Sequence, residues 1–323
     1  FSNIKIDRKG ISSQSDMFFS EDTEHLLGSF DNTNDIQKWG LFLPEDGLFQ
    51  SIYSLNSKDS KLLMDKIIDY LFPEIETDPM LIELREYMEF TSQYTGNGGA
   101  FSIDISPSAG KSENEIFPFN FSFRMVTELI DSDAFLKEFR DFYSSQSINN
   151  IMNSLYSDSE IKIMINMEEI RLNEISPVFK LKYELRERRT KSGNNYSEMD
   201  PVISFLNNVE FWYYIAEDKM YSYMGSKGIE GLKETIIPND HEKEWISTAP
   251  DNSNLIWNFS LTNILKLLEF LPEIKDFIPE NNLSFDISGF TRIGNGSIQS
   301  NANISSKDIG NIFRIYKDMS FSK

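Results

Sequence analysis

The sequence predicts an α+β fold of antiparallel sheets, built from repeated strand–strand–helix units whose helices pack on one face. Two observations lead to this prediction. Short segments that alternate apolar and polar residues occur in pairs joined by turn residues, and amphipathic segments with helical spacing follow them. Similar stretches also recur: FSIDIS at 101–106 resembles LSFDIS at 283–288. This recurrence predicts an internal duplication across 48–143 and 255–319, with convergent amphipathic patterning in a chain rich in Ile, Asn, Lys and Phe as the alternative.

The clearest unit is FWYYIAEDKMYSYMGSKGIEGLKETI at 211–236. A two-residue turn at Glu217 and Asp218 would join two strands, and a short helix would follow and end before Pro238. Because side chains alternate across a strand, four large aromatic residues are expected to share one face of this hairpin. These residues are Trp212, Tyr214, Tyr221 and Tyr223.

Three further units are predicted on the same grounds. They comprise a hairpin at 39–55 with a helix at 58–73, strands at 99–106 and 117–126 with a helix at 133–143, and strands at 283–293 and 297–305 with a helix at 307–319. Between them, 160–170 and 176–187 have the alternation of strands, and 201–209 is predicted to form a short helix.

The polar loop at 190–200 divides the predicted units into two groups. We therefore expect an N-terminal extension with the first elements at 1–38. A first repeat domain follows at 39–190 and a second at 200–323. Whether the two groups form one sheet or two does not follow from the sequence.

Composition excludes several classes of partner and chemistry. The net charge of −20 repels nucleic-acid phosphates and anionic lipid surfaces, so no nucleic-acid partner is expected. No apolar run approaches the roughly 18–20 residues that span a bilayer, which predicts no transmembrane segment. The absence of cysteine excludes disulfides, thiolate zinc sites and cysteine nucleophiles.

The motifs of common metal and nucleotide sites are incomplete. The two histidines, His25 and His241, stand apart in polar contexts, so a histidine-based triad or multi-histidine metal site is not expected. SPSAGKS at 106–112 has Ile105 where a phosphate-binding loop needs glycine. The acidic segment at 31–42 has isoleucine and phenylalanine where a calcium loop needs glycine and glutamate. We predict no bound metal and no cofactor.

Paired carboxylates are the remaining candidates for catalysis. Glu168 and Glu169 form one pair and Glu217 and Asp218 another. The second pair lies at a predicted exposed turn, where no desolvation would raise a carboxyl pKa. The sequence therefore predicts no catalytic residue.

The aromatic face of the 211–224 hairpin is the best functional candidate. Trp and Tyr provide large contact areas and are favoured in binding patches, so Trp212, Tyr214, Tyr221 and Tyr223 are the predicted binding residues. A second interpretation stays open, in which helices or another sheet cover this face and the four residues belong to the core.

The repeated strand–strand–helix pattern, with 211–236 as its clearest instance, resembles uncharacterised bacterial cell-envelope lipoproteins. The resemblance implies export to the periplasm or cell surface and a lipid anchor on a cysteine upstream of Phe1, a residue that this sequence does not contain. It implies no catalytic residues.

The sequence thus predicts a non-catalytic exported or cell-envelope protein that acts in binding or assembly, with a protein or an apolar ligand as partner. One alternative is a carrier of lipid-like molecules in a cavity lined by Phe and Met. Another is a hydrolase, which would need a buried pair of carboxylates in a cleft.

Overall fold

The computed structural model describes residues 2–18, 36–55, 89, 93–107, 119–144, 149, 153, 161–171, 177–187, 209–240, 243–268, 286–294, 297–311 and 313. Twelve strands in these ranges form one antiparallel sheet: β1 (Ser2–Asp7), β2 (Gly10–Phe18), β3 (Phe49–Ser54), β4 (Thr95–Pro107), β5 (Phe119–Leu129), β6 (Ile161–Ile170), β7 (Val178–Glu187), β8 (Glu210–Ala216), β9 (Lys219–Gly225), β10 (Leu255–Ser260), β11 (Asp286–Gly294) and β12 (Ser297–Ser305). The helices are a 3-10 helix (Gln37–Phe42), α1 (Ser132–Ser144), α2 (Gly228–Ile236), α3 (Glu244–Ser247) and α4 (Leu261–Leu268).

The strand order is β1-β2-β12-β11-β10-β3-β4-β5-β9-β8-β7-β6. It is symmetric about the central pair β10 and β3. On one side follow β4, β5 and the hairpin β9-β8, and on the other side β11, β12 and the hairpin β2-β1. The hairpin β6-β7 extends the first side. Strands from the predicted units 39–190 and 200–323 therefore hydrogen-bond directly to each other within one sheet.

The register of the β8–β9 hairpin is confirmed. Tyr214 pairs with Tyr221, and Trp212 pairs with Tyr223. The turn places Glu217 and its neighbour Asp218 at φ 52° and 56°. A two-residue turn with positive φ at both residues has a backbone twist that matches the right-handed twist of the flanking strands. This turn can therefore close the hairpin without forcing the strands apart.

The register also sorts the side chains into two faces that extend across the sheet. We call them the Tyr223 face and the Phe211 face, after one residue of the hairpin on each. Tyr223 shares its face with Trp212, which it opposes directly, whereas Phe211 opposes Met224 on the other face. The sheet therefore has two distinct surfaces, which can be compared strand by strand.

The predicted fold class is wrong, because the helices do not share one face of antiparallel α+β units. Helix α1 packs on the Phe211 face, where the ring of Phe139 lies 5.3 Å from Phe179 and 5.4 Å from Tyr213. Helix α2 packs on the opposite face, where Gly231 lies against the ring of Tyr223. Strands β7 to β9 carry large apolar side chains on both faces, and each face needs cover. The structure is one open sheet of twelve strands with few helices in the part described.

The two segments that look duplicated occupy equivalent places in the strand order: β4 lies between β3 and β5, and β11 lies between β10 and β12. Asp104, from FSIDIS, pairs with Ser122 on β5. Asp286, from LSFDIS, opens β11 and pairs with Ser260 at the end of the central strand β10. The matching segments therefore lie in corresponding strands on the two sides of the central pair, as an internal duplication predicts.

The largest core cluster lies on the Tyr223 face, beneath the 3-10 helix, α2 and α3. Ile52 and Ile256 from the two central strands are fully buried there, together with Trp39 from the 3-10 helix and Leu232 from α2. Burying a side chain of this size contributes roughly 1.5–3 kcal/mol. The hairpin β8-β9 is therefore held in place by side-chain packing in this cluster as well as by the hydrogen bonds between its two strands.

Several sequence predictions lie outside the described residues. They concern His25, His241, the helix at 58–73, the glycine–lysine pair of 106–112 and the loop at 190–200. In the ranges that are described, no helix has both the length and the apolar character required to cross a bilayer.

Candidate functional site

The predicted aromatic binding face is largely buried. Trp212, Tyr221 and Tyr223 are only 7%, 4% and 1% exposed. Phe42 of the 3-10 helix meets the Tyr221 ring edge-on at 6.0 Å. Of the four residues, only Tyr214 is half-buried, with its ring partly exposed and its ring centroid 5.9 Å from that of Tyr221. The interpretation in which helices cover this face therefore holds for three of the four residues, because α2 and the 3-10 helix lie over them. A binding role for the four residues stays a prediction.

The polar atoms of Trp212 and Tyr223 have partners inside the protein. The Trp212 indole N–H donates to Glu210 at 3.2 Å, and the Lys180 ammonium lies 4.7 Å above the indole ring. The Tyr223 hydroxyl accepts the backbone N–H of Lys227 at 3.2 Å. Burial, with smaller contributions from the charges of Glu217 and Tyr214, raises the pKa of Tyr221 to about 12. These residues hold the hairpin in place.

A cleft of about 750 Å³ opens beside the buried hairpin. Its walls are the 3-10 helix, the start of β4, the end of β5 and the β8–β9 turn. Small-molecule sites typically measure about 300–1,000 Å³. The cleft therefore has the size of a ligand site, and four separate parts of the chain build it.

The floor of the cleft is apolar. Trp39 and Leu129 are buried there, and Phe42 lies 6.0 Å from the Trp39 ring. Trp39 lies flat against β4 at Gly98, where an added Cβ would come within 2.2 Å of the indole nitrogen. At the mouth, exposed Ile130 adds further apolar surface. Above this buried floor, the lining residues Leu41, Phe42 and Ile130 offer apolar contacts to a ligand with a ring or a branched aliphatic part.

One side of the rim carries a fixed ion pair. The Glu128 carboxylate accepts the backbone N–H of Asn97 at 2.8 Å and lies 3.9 Å from the Lys38 ammonium. The same ammonium lies 5.2 Å above the Trp39 ring. Gly96 leaves the room that this carboxylate occupies, since a Cβ there would lie 2.6 Å from the Glu128 side chain. Glu128 is thus already engaged within the protein.

The opposite side of the rim is the β8–β9 turn. Asp218 is engaged twice: its carbonyl accepts the N–H of Leu129 at 2.7 Å, and its carboxylate accepts the Ser132 hydroxyl at 3.2 Å. The Lys219 ammonium donates to the backbone carbonyl of Glu217 at 3.2 Å. The exposed Glu217 carboxylate itself makes no hydrogen bond or ion pair with any described residue. It is the acceptor at this rim that remains open to a ligand.

The paired carboxylates considered from the sequence are separated or exposed. Glu168 and Glu169 are consecutive in β6 and therefore point to opposite faces, and Glu169 binds Arg140 at 2.9 Å. Glu217 and Asp218 are both exposed, as predicted for a turn. The cleft was not predictable from the sequence, because its walls are remote in the chain and are brought together only by the strand order.

A second feature is an apolar row on the Phe211 face, with one side chain from each strand in direct register. Its members, from one edge of the sheet to the other, are Ile6, Ile11, Ile304, Ile287, Phe259, Phe49, Ile103, Phe123, Met224, Phe211, Leu181 and Met167. Most are half-buried. Phe101 lies between two of them, 5.6 Å from the Phe49 ring and 6.2 Å from the Phe123 ring.

Comparison of this chain with protein families, curated proteins and solved structures gives no match. Across the described ranges, no group of three acidic or histidine side chains converges as a metal ion would require. The cleft and the apolar row are the two features of the described residues that bear on function.

Proposed function

We propose that this protein is a non-catalytic binding protein whose ligand occupies the cleft beside the β8–β9 turn. One observation carries the proposal: the cleft combines a ligand-sized volume and an apolar floor with one open carboxylate at its rim. Apolar walls with a few placed polar groups are the usual construction of small-molecule sites. Four elements of the chain hold these parts in place.

The ligand that fits best is a small organic cation with an aromatic or branched apolar part. Its cationic group would lie at Glu217, and its apolar part would contact Phe42 and the exposed Leu41 and Ile130. Aromatic rings also attract cations through their π faces. The net charge of −20 adds a long-range field that concentrates cations near the protein.

Calorimetry with phenethylamine as the probe tests this proposal. We expect phenethylamine to bind more tightly than its N-acetyl derivative, which keeps the ring and lacks the charge. Glu217→Gln should weaken the amine about twofold to fivefold, as expected for an exposed ion pair. Glu230→Gln is the matched control, because Glu230 is exposed on α2 and pairs with Lys233 outside the cleft. Equal affinities for the amine and the acetylated probe would contradict the proposal.

A second variant tests the apolar part of the cleft. Leu41 is an exposed lining residue, so Leu41→Ser should weaken phenethylamine without disturbing the core. An unchanged affinity in this variant would place the probe elsewhere on the surface. Circular dichroism of each variant checks that the fold is retained.

A second candidate function, a carrier of apolar molecules, is favoured by the apolar row. A row of half-buried Phe, Ile and Met side chains across a sheet offers an extended apolar contact surface. The test is titration with a pyrene-labelled fatty acid. Phe123→Ser should weaken its binding, whereas the cleft variant Leu41→Ser should not. Equal effects of both variants, or no binding, would exclude this candidate.

The proposal also includes a location in the cell envelope, with a lipid anchor upstream of Phe1. The support for this part is the resemblance of the strand–strand–helix pattern to cell-envelope lipoproteins. Fractionation of cells that express the natural gene, combined with metabolic labelling by palmitate, tests it. Recovery of unlabelled protein from the cytoplasm alone would contradict it.

A further inference from the structure

The edge strand β1 is an exposed surface with the features of a pairing site. All six of its residues are exposed, including Ile4 at 66% and Ile6 at 75%. Both isoleucines lie on the Phe211 face, and Met17 of β2 adds a third exposed apolar side chain there at 57%. No described strand pairs with the outer side of β1. Exposed apolar edge strands tend to pair with further strands.

The register shows which backbone groups of β1 point outward. Asp7 and Gly10 close a two-residue turn, and the carbonyl of Lys9 accepts the N–H of Ser306 on the β12 side. In an antiparallel ladder, hydrogen-bonding positions alternate along each strand. Asp7 and every second residue before it therefore bond to β2. Ser2, Ile4 and Ile6 direct their N–H and C=O groups away from the sheet.

The local charge permits a second copy of this acidic chain as the partner of the edge. The chain as a whole has a net charge of −20. The β1–β2 hairpin, in contrast, has a small positive excess, with Lys5, Arg8 and Lys9 against Asp7 and Asp16. Asp7 is paired with Lys5 at 3.0 Å, and this hydrogen-bonded contact lowers the pKa of Asp7. Two copies of an acidic protein can thus approach each other at this edge without acidic groups facing each other.

We infer that β1 pairs antiparallel with β1 of a second copy of this chain, with Ile4 opposite Ile4 of the second copy. In this register Ser2 faces Ile6 of the second copy, so all three outward residues form ladder bonds. The four isoleucines make one apolar patch on the Phe211 face. Lys5 faces Asn3 of the second copy. A shift by one ladder step would place Lys5 against Lys5, and like charges directly opposite are destabilising.

Single cysteines test this register, because the native chain has none. In Ile4→Cys the two Cα atoms would be about 5.5 Å apart, which suits a disulfide. Ile6→Cys is the matched control, on the same face and slightly more exposed, but its two copies would be roughly 13 Å apart along the strands. We expect oxidation to give a covalent dimer of Ile4→Cys and none of Ile6→Cys. Equal cross-linking of both, or of Ile6→Cys alone, would overturn the inference.

Sedimentation velocity over a range of concentrations tests the contact without cysteine. The native chain should show a monomer–dimer equilibrium, and Ile4→Lys should remain monomeric because a charged edge blocks pairing. Met17→Lys adds the same charge to the same face but not to the edge, and it should still dimerise. A native chain that stays monomeric throughout, or a Met17→Lys variant that dissociates like Ile4→Lys, would overturn the inference. This test does not depend on the cleft or its ligand.

Discussion

The hydroxyl oxygens of Tyr53 and Thr127 lie 3.1 Å apart, although strand β4 separates the strands that carry them. The Tyr53 ring crosses β4 at Gly99, the residue in register with both. A Cβ at Gly99 would lie 2.6 Å from the Tyr53 hydroxyl and 2.4 Å from the carbonyl oxygen of Val126. The glycine thus lets one side chain tie three neighbouring strands together near the centre of the sheet.

Removal of this hydroxyl should destabilise the sheet. Tyr53→Phe deletes the hydrogen bond and leaves the buried Thr127 hydroxyl without this partner. We expect the free energy of unfolding to fall by about 1–2 kcal/mol, measured by urea denaturation. Thr127→Val removes the other hydroxyl, and the double variant completes a cycle. If the effects of the two variants simply add, the two hydroxyls do not interact.

Gly231→Ala should destabilise the protein even though alanine is the better helix former. A Cβ at this position in α2 would lie 2.2 Å from the ring of Tyr223, which is buried against the sheet. The overlap should cost roughly 1–3 kcal/mol. Gly310→Ala is the control, because a Cβ there meets nothing within 4 Å in a helical segment. It should leave the melting temperature unchanged or raise it.

If Gly231→Ala is as stable as Gly310→Ala, helix α2 does not pack on the Tyr223 face as described. That result would also reopen the question of whether the aromatic residues of the hairpin are exposed.

Glu217→Asn should stabilise the β8–β9 hairpin. Glu217 has a φ of 52°, a left-handed conformation that costs a non-glycine residue roughly 1–2 kcal/mol and that asparagine tolerates better. We expect a gain of a few tenths to about 1 kcal/mol in the free energy of unfolding. Arg8→Asn in the β1–β2 turn provides the comparison, since the described non-glycine residues with positive φ are Glu217 and Asp218 alone. Equal gains at both turns would refute the strain argument.

The stability of the fold should fall in alkaline solution. Burial raises the pKa of Tyr221 to about 12, whereas an unfolded tyrosine ionises near 10. Above pH 10 the unfolded state releases this proton before the folded state does. The contribution is therefore fully present below about pH 10 and is lost as pH rises towards 12. Urea unfolding at a series of alkaline pH values should show this decline.

Tyr221→Phe isolates the contribution of this group, because it removes the phenol and keeps the ring. The variant should lose less stability than the native chain over the same pH interval. Tyrosinate absorbance provides an independent measure of the late titration. A native chain whose stability does not change over this interval would contradict the buried position of Tyr221.

Local features of this fold were predictable where neighbours in the chain decide them. The β8–β9 register follows from the alternation of residues around Glu217 and Asp218 and agrees with the structure. Helix α1, predicted at 133–143, also forms. Turn length fixes hairpin register, and the spacing of apolar residues fixes helical faces. The same local reasoning could not decide the exposure of Trp212 and Tyr223, which depends on what packs above them.

The sequence by itself therefore determined which residues share a hairpin, which share a strand face, and that no cysteine chemistry operates. Only the tertiary structure decided the central pairing of β3 with β10, the burial of Tyr223 under α2, and the meeting of Trp39 with Glu217 at one cleft. The physical reason is that hairpin register depends on interactions between residues close in the chain. Strand order and face coverage depend instead on contacts between segments some two hundred residues apart, such as Ser51 with Trp257, which no local pattern encodes.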